Sequence, residues 1–375
     1  MEYELDLLVI GAGVAGLATG REVALSGRCV GILEKNRRYG LETSSRNSEV
    51  IHSGIHYPPG SLKALLCVEG NRLLYDYCAG SGILHRKTGK ITLAVTPEEE
   101  KRLWLLYKTG LANGVKDIKL LGAERVKKMV PCVECRSGLF TGSTGILSAH
   151  GLMDSLYGDF LESGGIAGFG EEVTGIEKAG RGYRVATAAG RHYTSRVVIN
   201  CAGLFSDRIS GMISMATVRT YWAKGDYFGL GRTFGINMPV YPVPGRDYLG
   251  IHLTPDVGGG LKAGPDIEYV EKSDHPYPGE NRGTSYSVDE RKRERFFREV
   301  RRYLPSIREE DLSPAMFGIR SRLQGPGDGP MDFLISARTP GFINLEGIDS
   351  PGLTSCLAIG KYARNIFDVI IREKR

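Results

Sequence analysis

The sequence predicts an α/β fold, α+β overall. A domain of parallel, fully buried strands is split along the chain, and a second domain on a mainly antiparallel sheet is inserted into it. Three observations carry this expectation. The first 34 residues read as strand, glycine-rich turn, helix and strand. The same buried-strand pattern returns at 196–200 and 342–345, the latter followed by an amphipathic terminal helix at 353–372. Between these, from 217 to 285, short strands alternate with Gly, Pro and Tyr turns.

Each element has a local reason. Residues 5–10, Leu-Asp-Leu-Leu-Val-Ile, form an apolar run ending at glycines, as in a strand covered on both faces. Val14, Leu17, Ala18, Val23 and Ala24 recur at helical spacing, and Gly27 closes the helix. Residues 29–33 form the second strand of a right-handed βαβ unit, ending at Glu34. Residues 61–80 are a helix closed by Gly80, Lys90–Val95 a strand, and Pro97–Gly110 a helix with Thr96 as its N-cap. Residues 151–163 are helical, 171–178 and 182–187 alternate as a hairpin, and 196–200 is a buried strand. The antiparallel segment contributes Lys224–Leu230, Met238–Val243, Tyr248–Leu253 and Gly260–Ala263. Residues 288–304 read as a basic amphipathic helix.

Gly11-Ala12-Gly13-Val14-Ala15-Gly16 is a G-x-G-x-x-G turn between strand and helix. Gly11 allows the tight turn, Gly13 the approach of a pyrophosphate, and Gly16 close helix–strand packing. The free N–H groups of the helix start favour phosphate. Glu34 stands at the end of the second strand, where a carboxylate accepts hydrogen bonds from ribose hydroxyls. In this context the turn marks a Rossmann-like dinucleotide site. The acid disfavours a 2′-phosphate, leaving FAD or NAD rather than NADP.

Composition limits the alternatives. The 375 residues are 41% apolar and 25% charged, ordinary for a globular chain and unlike collagenous, disordered or disulfide-scaffold proteins. The net charge is +6, with its densest run at Arg291–Arg302 interleaved with Glu294, Glu299, Phe296, Phe297 and Val300. That is a solvated helix face, with an acidic partner or a peripheral membrane contact as the alternative. A nucleic-acid partner is not expected. The seven cysteines are scattered, no secretory signal is visible, and a cytoplasmic setting is the default. Cys132 and Cys135 form a lone C-x-x-C without further ligands nearby, so no metal site is expected.

Beyond the glycine turn, one stretch after another is similar to the D-amino-acid-oxidase-like FAD oxidoreductases. Within them, the chain resembles the L-2-hydroxyglutarate dehydrogenase/oxidase group. The matching stretches run in order along nearly the whole chain: Thr43 to Cys78, Ser143-Thr144-Gly145-Ile146, Val198 to Gly203, Lys224 to Phe228, Leu249 to Thr254, Gly318-Ile319-Arg320 and Gly347 to Ser355. The resemblance implies a split FAD domain at 1–88, 145–215 and 335–375, and a substrate domain at 89–144 and 216–334. It implies that Thr43, Ser44, Arg46 and Asn47 run along the flavin and pyrophosphate. Val173 would meet the adenine, and Ala202-Gly203 the ribityl chain. The segment from Gly347 through Gly352, Leu353 and Thr354 would reach the flavin pyrimidine edge, where a helix N-terminus stabilises the charge of the reduced ring.

The activity implied is oxidation of a 2-hydroxy acid to the 2-oxo acid by hydride transfer to flavin N5, with oxygen, a quinone or a protein as electron acceptor. Arg320 would fork onto the substrate carboxylate. The family's Pro after this Arg is replaced by Ser321. A base is needed for the hydroxyl proton, and His52 and His252 lie in matching stretches. The alternative for each is a hydrogen-bonded core histidine. His56 and His150 are weaker candidates, and His85, His192 and His275 belong to the surface. Lys63, Lys224 and Tyr241 are further polar candidates. Rival functions are an amino acid or amine oxidase, a glycerol-3-phosphate dehydrogenase, and a non-catalytic flavin- or nucleotide-binding sensor.

Overall fold

The computed structural model describes residues 4–213, 218–245, 250–272 and 288–373. The strand expected at Tyr248–Leu253 lies partly outside these residues, and His275 lies wholly outside them.

An eight-stranded sheet is centred on the strand Leu5–Ile10, which pairs in parallel with Val30–Glu34 on one side and His192–Asn200 on the other. Alternate residues of this strand go to opposite faces, as the period of two requires. Leu7 and Val9 pack under the helices Val14–Ala24, Ala149–Glu162 and Gly352–Glu373. Leu5, Leu8 and Ile10 pack on the other side with Val173, Val185 and Phe342. Both faces are therefore covered, which accounts for the unbroken apolar run. The hairpin Val173–Ala179/Gly182–Thr187 and the strands Ile166–Phe169, Leu334–Thr339 and Phe342–Glu346 complete the sheet.

A nine-stranded sheet forms the second layer system. Its spine is Tyr221–Leu230, paired antiparallel with Leu312–Arg322 along nearly its whole length. Among the described residues, only Val240–Pro242 against Lys90–Ala94 is parallel in this sheet. Phe228 meets Phe296 of the helix Arg293–Arg301 at 4.7 Å between ring centroids, inside a core with Val240, Leu253 and Tyr303.

Several elements differ from the sequence reading. Leu312–Arg322 is the longest strand and carries no strand signature, because Pro314 and Gly318 interrupt it. Pro314 is tolerated where the register against Tyr227/Phe228 shifts. The strands Ile118–Gly122 and Ser137–Thr141 were also not legible. The basic helix is shorter than 288–304: a turn at Glu290–Lys292 is followed by nine helical residues. Three of its cations are matched within the chain, Arg293 by Glu290, Arg295 by Glu299 and Arg298 by Glu294, and Arg301 lies over the Phe297 ring, which supports the solvated-face reading. Thr96 caps its helix as expected, accepting the Glu99 N–H at 3.2 Å. All seven cysteines are unpaired.

Candidate active site

A cleft of about 840 Å³ runs from the glycine turn to the nine-stranded sheet. At its first end, Gly11 has φ +102°, and a Cβ there would stand 2.6 Å from the Cys201 carbonyl oxygen. A Cβ on Gly16 would stand 1.9 Å from the Gly11 carbonyl oxygen, so this glycine packs the turn without lining the cleft. The Ala12 N–H donates to Glu34 Oε2 at 2.9 Å, and the Asn36 N–H to Oε1 at 2.8 Å. Burial pushes the Glu34 carboxyl up against those two hydrogen bonds. The carboxylate thus braces the turn while lining the cleft. Val173, Ala202 and Gly203 lie along the same wall.

The next stretch is fixed from both layers. Ser44 Oγ accepts the Val14 N–H at 3.0 Å, and Thr43 Oγ1 donates to the Ile319 carbonyl at 2.9 Å. Asn47 closes the turn on the Ser44 carbonyl at 2.8 Å. The Arg46 guanidinium lies over the Phe317 ring. Gly318 is required here, since a Cβ would fall 2.0 Å from the Arg46 carbonyl oxygen. Ser321, the departure from the family's Pro, donates to the Gly203 carbonyl at 2.9 Å and ties the long strand to the first domain's loop.

At the far end stand His52, His56, Tyr227, Tyr241, His252 and Arg320. Arg320 Nη2 donates to the Asp266 carbonyl at 2.7 Å, which holds the guanidinium in place. Burial lowers its pKa. His52 has a buried Nδ1 with no partner among the described residues, while its Nε2 is 3.4 Å from Ser350 Oγ. Burial, with the Lys90 charge behind it, pushes His52 down to about 3. His252 lies flat on Tyr241, with centroids 3.5 Å apart at 8°.

Gly16, Gly347 and Thr354, expected along the cofactor, and the polar candidate Lys224 do not line the cleft. Thr354 acts one step behind it. Its Oγ1 accepts the His52 N–H at 2.9 Å and donates to the Val50 carbonyl at 3.2 Å. Gly352 and Leu353, at the start of the terminal helix, do line it. Lys63 and Lys224 are ion-paired, to Asp349 at 2.8 Å and Asp226 at 3.0 Å. His150 and His192 are exposed, and His85 is half-buried. Sequence reasoning missed Lys90, which is fully buried behind His56 and Tyr241. A lysine opening a strand is ordinarily read as solvated, and nothing in the surrounding residues marks it as buried.

The fit to a dinucleotide is direct: a glycine turn that leaves no room for a Cβ at Gly11 or Gly16, a helix start with Gly13 at its N-cap, and a long cleft that ends at Arg320 and the histidines. A family profile described as "FAD dependent oxidoreductase" matches residues 6–366. The chain belongs to that family. It is an FAD-dependent oxidoreductase enzyme. Among curated relatives, the mitochondrial L-2-hydroxyglutarate dehydrogenase of Arabidopsis thaliana is 36% identical over 406 residues, covering 97% of this chain and 83% of the relative. The glycerol 3-phosphate dehydrogenase of Caloramator mitchellensis is 31% identical, covering 98% of this chain and 75% of the relative. Among solved structures, the L-alpha-glycerophosphate oxidase of Mycoplasma pneumoniae with FAD bound superposes with a TM-score of 0.86 at 25% identity, covering 98% of this chain and 95% of the other. No helix among the described residues is long and apolar enough to cross a membrane.

Proposed function

We propose that this oxidoreductase converts an L-2-hydroxyglutarate-like 2-hydroxy acid to the 2-oxo acid. The observation that carries the reading is that Arg320 and His52 line one cleft with the glycine turn. The relatives that are L-2-hydroxyglutarate dehydrogenases support it. FAD, when bound, supplies the hydride acceptor.

The residues divide the remaining work. Gly11, Gly13 and the start of the Val14–Ala24 helix receive the pyrophosphate, and Glu34 the ribose. Thr43, Ser44, Arg46, Asn47, Val173, Ala202 and Gly203 line the rest of the cofactor's path, which ends at Gly352 and Leu353. Residues 1–88, 145–215 and 335–375 act as the FAD domain, and 89–144 and 216–334 as the substrate domain. Arg320 forks onto the substrate's 1-carboxylate and fixes the Cα–H direction. His52 is the base. With its proton on the buried Nδ1, its Nε2, 3.4 Å from Ser350 Oγ, presents a lone pair to the hydroxyl proton. Because burial holds the ring neutral, that lone pair is free throughout the physiological range. His252, immobilised on Tyr241, contacts substrate.

Oxygen, a quinone or a carrier protein takes the electrons onward. The helix Pro97–Ala112 supports a peripheral contact with an anionic membrane. It exposes Trp104, Leu105 and Leu111 beside Lys101 and Lys108, while its Leu106 and Thr109 line the cleft. Flotation with anionic vesicles tests this contact, and no flotation at low salt removes it.

The experiment for the main reading is anaerobic bleaching of the purified yellow protein. 2-Hydroxy acids, amino acids and glycerol-3-phosphate are compared side by side. Bleaching by L-2-hydroxyglutarate with the highest kcat/KM supports the reading. Preference for an amino acid or for glycerol-3-phosphate replaces it with one of its rivals.

A further inference from the structure

Lys90 begins the strand Lys90–Ala94, and its side chain has 0% exposure. A lysine at that depth ordinarily meets a carboxylate, because an unpaired buried charge is strongly disfavoured. Among the described residues none lies within ion-pair distance of it. Its ammonium has two recorded partners instead: His56 Nε2 at 3.2 Å and the face of the Tyr241 ring at 4.7 Å. Both partners line the cleft, whereas Lys90 does not. The ammonium form can only donate, so when Lys90 is charged His56 Nε2 accepts and the His56 proton sits on Nδ1.

Lys90 is therefore held one layer behind the cleft wall with no anion among the described residues to balance its charge. Its surroundings are His52, His56, Tyr241 and the Cys67 thiol. Burial pushes the Lys90 ammonium down to about 7. The same burial, together with the Lys90 charge, pushes His56 far down, so His56 stays a neutral donor. The Cys67 thiol is pushed well up by burial and supplies no charge. An anion entering the cleft beside His56 would supply the missing partner.

Other cations of the cleft have partners of their own: Arg322 faces Asp349 at 3.7 Å, and Arg46 lies over the Phe317 ring. Lys63 and Lys224 are already matched by Asp349 and Asp226. Arg320 is claimed by the first carboxylate in the proposed reaction. We propose that Lys90, acting through His56, is the positioning residue that selects a substrate with a second carboxylate, so the site takes dicarboxylic 2-hydroxy acids. This rests on the 2-hydroxy-acid reading above.

The test uses the FAD-loaded enzyme and two acids of equal chain length, L-2-hydroxyglutarate and the monocarboxylate L-2-hydroxyvalerate. Flavin reduction is followed by anaerobic stopped flow in wild type and Lys90→Met. Wild type should favour the dicarboxylate. Lys90→Met should collapse that preference by ~30-fold or more, the size of loss seen when one partner of a desolvated charge pair is truncated, mostly through KM. An equal loss for both acids would mean that Lys90 is structural and would overturn the proposal.

A second measurement stands if Lys90→Met fails to hold FAD. Glutarate and valerate are titrated into the wild-type enzyme by flavin absorbance between about pH 6 and 9. The dianion needs the charged ammonium, so glutarate affinity should fall as pH rises and the ammonium loses its proton, while valerate affinity changes much less. Parallel pH profiles for the two acids would overturn the proposal. Reduction of wild type by neither hydroxy acid would instead sink the reading beneath it. Equal kcat/KM for both acids would sink this inference and leave 2-hydroxy-acid oxidation standing.

Discussion

Thr354→Val removes one oxygen and keeps the shape of the side chain. Thr354 is fully buried, and its hydroxyl is the acceptor for the His52 N–H at 2.9 Å. Valine leaves that N–H a buried donor without a partner, which costs roughly 1–3 kcal/mol. The Val50 carbonyl, the hydroxyl's own acceptor, sits in a strand paired with Gly145–Leu147 and is less affected. At about 2.1 cal/mol/K of unfolding entropy per residue, each kcal/mol lowers the melting temperature of a chain this long by a little over ~1 °C, so a fall of roughly 1–4 °C is expected. The catalytic effect is separable. The His52 carbonyl remains held by Asn71 Nδ2 at 2.8 Å, so the loop stays in place with one anchor fewer. A small displacement of the ring is enough to slow the reaction, since about 1 Å of misplacement can cost ~10²-fold. The assay pairs thermal melting, followed by flavin fluorescence, with single-turnover flavin reduction by L-2-hydroxyglutarate. Thr354→Ser keeps the hydroxyl and should restore most of both quantities. If Thr354→Val melts and turns over as wild type does, or if serine and valine behave alike, the hydroxyl does not position His52.

Arg320→Lys should lower kcat/KM by about 2–5 kcal/mol with FAD content unchanged, because an ammonium lacks the bidentate fork; wild-type kinetics would remove Arg320 from the site. His52→Asn should bind substrate and reduce flavin ~10²–10⁴-fold more slowly. A histidine lowered to about 3 is neutral above that pH and protonated below it. The proton-accepting form is therefore complete at pH 5 and above, and stopped-flow rates should show no ascending limb near 6.5 that belongs to His52; such a limb, lost in His52→Asn, would contradict the burial argument. Glu34→Ala should weaken FAD binding by roughly 1.5–3 kcal/mol in a titration, since it removes both the ribose acceptor and the brace on Ala12; unchanged affinity would take Glu34 off the ribose.

The parts of this molecule that were legible in the sequence are those where one local constraint decides the residue. The turn at Gly11 admits no Cβ, a strand covered on both faces must be apolar, and Thr96 caps a helix from within four residues. The strand Leu312–Arg322 was not legible, because its reason is a partner about 90 residues away in Tyr221–Leu230. Paired along nearly its whole length, it can carry Pro314 at a register shift and Gly318 under the Arg46 carbonyl. Read locally, both residues argue against a strand.

The site divides along the same line. Arg320, His52 and His252 were found through stretches that resemble a family, and the structure lines all three along one cleft. Thr354 and Lys90 act through other residues, and the reasons for them exist only in three dimensions. Thr354 reads as a helix-start residue and serves as an anchor for a loop some 300 residues earlier. Lys90 opens a strand in the sequence and is buried without a counter-ion among the described residues. Such a group is costly to the fold, and its neighbours His56 and Tyr241 stand between it and the cleft. A cost borne where one more anion would relieve it is better explained by a ligand than by packing, since leucine or methionine would fill the same space without the charge.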